Sequence, residues 1–207
     1  MKTQTKESQS AITPNQIIEL LKEGNNRFLN NSKADRNLLK QVEETSTGQF
    51  PFAAVLSCID SRVPAEIVFD QGIGDIFSAR IAGNFVNEDI LGSLEFACKV
   101  AGSKVIVVMG HTSCGAVKGA CDNVQLGNLT GMLAKLKPAV DNAEGSFEDK
   151  SSGNPEFVQA VADKNVELTI ENIKNQSAVL KEMVDNGEIQ IVGAMYDVAS
   201  GKVTFNQ

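Results

Sequence analysis

Three side chains able to bind a metal stand at the ends of two short apolar runs. Phe52 to Arg62 reads FAAVLSCIDSR, and Val55 and Leu56 lead into Cys58. Lys104 to Cys114 reads KVIVVMGHTSC, and Val105 to Met109 lead through Gly110 to His111 and then Cys114. Two thiolates and an imidazole form a borderline-soft donor set suited to Zn²⁺, and three protein ligands leave a fourth position for water. The two thiolates neutralise the dication, and such an ion brings the pKa of its water towards neutrality, so that hydroxide is available at physiological pH. Asp60 lies two residues after Cys58, and Arg62 two residues further. A guanidinium forked onto Asp60 holds the carboxylate ionised. An ionised carboxylate can only accept hydrogen bonds, so it selects the protonated edge of a zinc-bound hydroxide and turns a lone pair towards an incoming electrophile.

These residues can meet only if the two runs lie side by side. Short runs rich in Val and Ile, closed by a turn residue, read as buried parallel strands. In an open α/β sheet such strands present their carboxyl ends at one crevice, where ligands bind. Cys114 then falls near a helix N-terminus, which favours thiolate. Further strands are predicted over Asp75–Ile81, Glu188–Tyr196 and Lys202–Phe205, the last following the turn at Ser200-Gly201. Helices are predicted over Asp89–Val100, with Ile90, Leu94 and Ala97 or Cys98 inward, and over Ser113–Cys121, Gly127–Val140 and Pro155–Asn186. Pro64–Asp70 reads as one helical turn, and Asn142–Gly153 as a solvated loop. Strands alternating with helices make an α/β protein with a mainly parallel central sheet.

Upstream, Thr13-Pro14 is a helix start, with Thr as the cap and Pro at the first helical position. Ile17, Leu21 and Phe28 share one stripe of that helix. This N-terminal helical arm precedes the sheet and is expected to cover a partner or the back of the sheet. A weakly patterned helix is possible over Asp35–Glu44. Residues 1–12 are polar and are expected to be a disordered or extended tail, which leaves 13–207 as a single domain.

At 207 residues, with 42% hydrophobic and 22% charged residues, the chain suits one soluble globular domain. A net charge of −7 argues against non-specific nucleic-acid binding and against anionic membrane surfaces. No apolar run approaches a membrane span. The opening MKTQTKESQSAITP lacks the apolar core of a secretory leader, so the chain is read as cytoplasmic. Four cysteines in a chain of this length do not make a disulfide framework; in a reducing compartment they stay thiols or bind metal.

Taken together, CIDSR (Cys58–Arg62) followed by GHTSCGAVKGA (Gly110–Ala120) resembles the β-class carbonic anhydrases. The likeness runs through GQFPFAAVLSC before them, RVPAEIVFDQGIGDIF and ARIAGN between them, and IVGAMYDVASGKV near the end. It covers most of residues 14–207. The resemblance implies reversible, zinc-dependent hydration of carbon dioxide to bicarbonate and a proton. Cys58, His111 and Cys114 are its implied zinc ligands, with one ion per chain, and Asp60–Arg62 its catalytic dyad. It also implies Gln49, Phe77 and Phe96 around a narrow CO₂ cleft and Gly115 as a backbone contact. The family often has Tyr where this chain has Phe96, so that part of the cleft is purely apolar here. Four parallel strands plus an antiparallel edge strand are implied, assembled as a dimer that often pairs into tetramers, with part of the cleft supplied by the partner subunit.

One subgroup of that family lets the Asp displace the zinc-bound water in a closed state gated by bicarbonate, and carries Trp three residues before the first Cys ligand. This chain has Val55 there and no Trp. The bicarbonate pocket is therefore not expected, and Asp60 as a fourth metal ligand is reserved for such a closed state. Three other readings stay open on the residues alone. A structural zinc site would take Cys98 or Cys121 as its fourth ligand. The same scaffold could hydrolyse carbonyl sulfide or carbon disulfide, whose carbon is similarly electrophilic. A non-catalytic bicarbonate-binding module could retain the zinc, although an intact Asp60 and Arg62 argue against it. With His111 engaged as a ligand, no second imidazole is left to relay protons, so water, buffer and carboxylates must carry them.

Overall fold

The computed structural model describes residues 3–206. A five-stranded sheet runs through it in the order β2-β1-β3-β4-β5, with β1 Ala53–Ser57, β2 Ile76–Arg80, β3 Val105–His111, β4 Gln190–Tyr196 and β5 Val203–Phe205. The first four strands are mutually parallel, and β5 closes the edge antiparallel to β4. Every residue of β1 and β3 is buried. Their side chains alternate between two apolar layers, as strand geometry requires. Val55, Val107 and Met109 face one layer, while Ala54, Leu56, Ile106 and Val108 face the other.

Helix α2 (Pro14–Leu29) covers the first face. It begins in a capping box: Thr13 Oγ1 accepts from the Gln16 amide at 3.3 Å, and the Gln16 side chain accepts from the Thr13 amide at 2.9 Å. Ile17 and Leu21 on its inner stripe are fully buried against Phe52, Val55 and Phe69. The arm thus covers the back of its own sheet through Ile17 and Leu21, while Phe28 is only partly buried. Ahead of it, the tail expected to be disordered or extended forms a short helix, α1 (Lys6–Ala11). Its polar sequence carries no stripe to betray it. Instead, the buried Gln9 amide donates to the carbonyls of Pro51 at 2.8 Å and Ala101 at 2.7 Å, which moors the segment at the amino edge of the sheet.

The remaining helices are α3 (Leu38–Thr45), α4 (Ala65–Val68), α5 (Glu88–Glu95), α6 (Gly115–Cys121), α7 (Gly127–Leu133), α8 (Lys137–Asp141), α9 (Pro155–Gln176) and α10 (Ala178–Asp185). Three predicted helices are interrupted, and the one over 127–140 passes through a 3₁₀ turn at Ala134–Leu136 between α7 and α8. The long one over 155–186 breaks at Ser177, whose hydroxyl caps α10 by accepting from the Leu180 amide. Helix α5 passes into a π turn over Phe96–Val100, closed by the Ala101 amide on the Phe96 carbonyl at 2.9 Å. Leu91, Leu94, Ala97 and Cys98 are buried on the inner face, and Ile90 packs against the same core while partly exposed. Phe96 is turned outwards and is 50% exposed. Among the described residues, no helix is long and apolar enough to cross a membrane.

Because Leu21 is packed wholly within its own chain, Leu21→Ala should cost about 2–5 kcal/mol of unfolding free energy. Denaturant titration checks this. The variant should keep the assembly state of the parent, which sedimentation reads.

Candidate metal centre

The register between β1 and β3 sets the site. Ser57 pairs with Met109, so Cys58 emerges from the carboxyl end of β1 beside the final residues of β3, Gly110 and His111. A tight turn follows, with Ser113 in the left-handed region at φ 54, and it delivers Cys114 to the cap position of α6. Val117 of α6, Ala139 of α8, and Phe157 and Val161 of α9 close an apolar shell around the two cysteines. The ligand atoms of Cys58, His111 and Cys114 all lie within 4.8 Å of one another, and the two Sγ atoms are 4.0 Å apart.

Several features of this cluster fit a metal ion. His111 Nδ1 is 3.0 Å from the carbonyl oxygen of Thr112, which can only accept, so Nδ1 carries the proton and Nε2 presents a lone pair. That Nε2 is buried and has no hydrogen-bond partner among the described residues. A buried acceptor left unsatisfied is costly, and a metal between the two thiols would satisfy it. The two thiols shift one another in opposite directions, which favours ionisation of Cys58. The Cys58 thiol is drawn down to about 4, chiefly by the hydrogen bond with Cys114 and against the opposing effect of burial. Its partner Cys114 is pushed up by the same contact and by burial.

Asp60 and Arg62 stand beside this group. Arg62 donates from Nε to Asp60 Oδ1 at 2.9 Å and from Nη2 to Oδ2 at 2.7 Å, and its backbone amide adds a third bond to Oδ1 at 2.9 Å. These bonds hold the Asp60 carboxyl well below the usual carboxylate range. Asp60 Oδ2 is 3.9 Å from His111 Nε2, so the carboxylate borders the metal position while both of its oxygens are engaged by Arg62. Gly115 is the first residue of α6, and a Cβ built there would meet nothing within 4 Å, which leaves open space next to Cys114.

The other cysteines stay apart. Cys98 is buried in the core beneath α5, which pushes its thiol up to about 12; Cys121 is pushed up to about 11, again by burial first. Neither joins the metal-competent group among the described residues, so a structural site completed by one of them gains no support.

Gln49, Phe77 and Phe96 are not brought to this centre by their own chain. Phe77 pairs with Ala54, four residues and roughly 13 Å of strand before Cys58. It packs edge-on against Phe96, with ring centroids 6.2 Å apart, in a groove of about 590 Å³ that also includes Ala79, Asp89 and Ile90. Gln49 lies before β1, at the opposite end of that strand, near Thr45 and Gly74.

Sequence reasoning missed Arg80. From the end of β2 it donates Nε to the Cys58 carbonyl at 2.9 Å and Nη2 to the Asp60 carbonyl at 2.6 Å, tying the loop that carries both residues to the neighbouring strand. The signal was present in the motif ARIAGN, but it is legible only once Arg80 is known to pair with Ser57. Tyr196, remote in sequence, is the register partner of His111 on β4. Burial raises the pKa of its phenol further, which leaves it unfit to relay protons near neutrality.

The carbonic anhydrase family model matches residues 53–203 of this chain, a span that contains all three metal-competent residues and the Asp–Arg pair. The chain belongs to the β-carbonic anhydrase family. Carbonic anhydrase 2 of Mycobacterium tuberculosis is 35% identical over 190 residues, covering 88% of this chain and 87% of the relative. Among solved structures, the β-carbonic anhydrase CafA of Aspergillus fumigatus superposes with a TM-score of 0.72 at 29% identity, over 82% of this chain and 81% of that one. Tetrameric β-carbonic anhydrases from Sordaria macrospora share the fold, with a TM-score of 0.68 at 23% identity over 80% and 89% of the two chains.

The β-carbonic anhydrase centre should take up one metal ion per chain. Its affinity should fall as pH is lowered, because protons compete for the thiolates and the imidazole. Cys58→Ser and His111→Ala should each abolish uptake, whereas Cys121→Ala should retain it. Metal analysis of the purified variants reads all three, and a stoichiometric ion in Cys58→Ser would refute the ligand set.

Proposed function

We propose that the chain is a zinc enzyme that reversibly hydrates carbon dioxide to bicarbonate and a proton. The observation that carries this reading is the unpaired, buried Nε2 of His111, set among two thiols and bordered by a carboxylate that Arg62 keeps ionised. Cys58, His111 and Cys114 would hold the ion, and when bound it would supply the Lewis acidity that makes hydroxide from water near neutral pH. The other tasks fall to this chain's own groups. Asp60, acceptor only, would accept a hydrogen bond from a hydroxide at the site and so turn an oxygen lone pair towards the carbon of CO₂. Arg62 occupies the remaining lone pairs of Asp60 and fixes its rotation. Arg80 fixes the backbone beneath them both.

Gln49, Phe77 and Phe96 enter this proposal through a second copy of the chain. One chain keeps Phe77 and Phe96 away from its own Cys58, so they can line the substrate cleft only across a subunit interface, as the family resemblance implies. Phe96, 50% exposed, and Val100, 72% exposed, offer apolar surface on the π turn for such an interface. The assembly is then a dimer, or a pair of dimers. Four free thiols suit the cytoplasm as its working compartment.

Asp60→Asn is the direct test of the chemistry. The amide donates as well as accepts, so it no longer selects the hydroxide orientation, and Arg62 loses its charge partner. Zinc content should be retained while CO₂ hydration in a stopped-flow assay falls on the order of 10²-fold. Full turnover in this variant would reduce the pair to a structural salt bridge. For the assembly, sedimentation at assay concentration should find at least a dimer, and an active monomer would overturn the shared cleft.

A further inference from the structure

The turn that leaves β2 touches the metal centre at one atom. The Gly83 amide donates to Cys58 Sγ at 3.4 Å. Gly83 sits at φ +82, a conformation open to glycine, and a Cβ there would lie 2.8 Å from Leu136 Cδ1. On its far side, the Gly83 carbonyl accepts from Asn165 Nδ2 at 2.8 Å. Asn165 lies in the middle of α9, eighty-two residues on, and is only 4% exposed. Asn is an indifferent residue for a helix interior, and a buried amide is unfavourable unless it is bonded. Its engagement with Gly83 accounts for its place there.

The two contacts of Gly83 belong to successive peptide planes, joined through the most permissive pair of dihedrals in the chain. Left alone, glycine could rotate its amide away from the sulfur. The amino side of the turn is held by the Ile81 amide on the Ser57 carbonyl at 3.1 Å. The carboxyl side is held by Asn165. The Asn84 amide, in the same peptide plane as the Gly83 carbonyl, bonds the Ile81 carbonyl at 2.9 Å, so the turn and Asn165 together orient the plane that adjoins the amide pointing at Cys58 Sγ.

We propose that Asn165 is a positioning residue of the metal centre, which holds the Gly83 amide on the Cys58 sulfur. The role rests on the zinc reading given above. Groups in this outer position typically alter metal affinity 10–100-fold when removed, because they orient a ligand and set its donor strength.

The test begins with the wild-type chain loaded with a spin-half cadmium isotope. The Gly83 amide proton should show a coupling to the metal transmitted through the N–H···S bond. In Asn165→Leu that coupling should vanish or shrink, and zinc competition with a chromophoric chelator should show affinity about 10-fold weaker or more. Ile173→Ala, a buried change further along α9, controls for general loosening and should leave the coupling intact. Should Asn165→Leu fail to fold, Asn165→Asp is read in the same way, since an ionised carboxylate cannot donate to the Gly83 carbonyl. The proposal is overturned by absent coupling in the wild type, by unchanged coupling and affinity in the Asn165 variant, or by equal loss in Ile173→Ala. A wild-type chain that binds neither zinc nor cadmium would show instead that the metal reading fails, and the proposal falls with it.

Discussion

The parallel pairing of β1 with β3 is the constraint on which the rest of the structure depends. Ser57 opposite Met109 places the last turn of each strand at the same edge, and the metal-competent atoms meet there. A slip by one residue would exchange the two faces of β1, sending Val55 into the layer now filled by Ala54 and Leu56. Both layers are built of buried apolar side chains, so the register is held by the core and the site inherits it. Chemistry at the edge is thus positioned by packing in the middle.

Around that edge, function is carried by groups that hold one another at short range. Arg62 engages Asp60, Thr112 sets the tautomer of His111, and Arg80 grips the backbone on either side of Ile59. Each of these bonds fixes a side chain or a carbonyl whose freedom would otherwise blur the site. Dipoles and charges fixed in this way act more strongly than groups that must reorient.

The parts of the site that could be read from the sequence were those whose meaning is local. Cys58, His111 and Cys114 each close or follow an apolar run, and Asp60 and Arg62 are separated by the spacing their fork requires. The positions of the strands along the chain and the stripe of α2 were legible for the same reason, since periodicity reports burial. What escaped was long-range or polar. Gln9 orders α1 by meeting carbonyls forty-two and ninety-two residues away. Arg80 and Asn165 act on backbone that only the folded chain brings near them. Phe77 and Phe96 look like ordinary core aromatics in the sequence, and one folded chain leaves them in a groove of their own.

The π turn after α5 makes the length of this stretch as restrictive as its composition. Removing any one residue between Glu95 and Ala101 would restore a regular helix and rotate everything beyond the deletion by about 100°. Ala101 would then turn its carbonyl away from Gln9. Adding a residue would displace Ala101, whose carbonyl receives Gln9, and so loosen α1 from the sheet edge. An insertion or deletion within this segment would disturb the aromatic face and the N-terminal mooring at once.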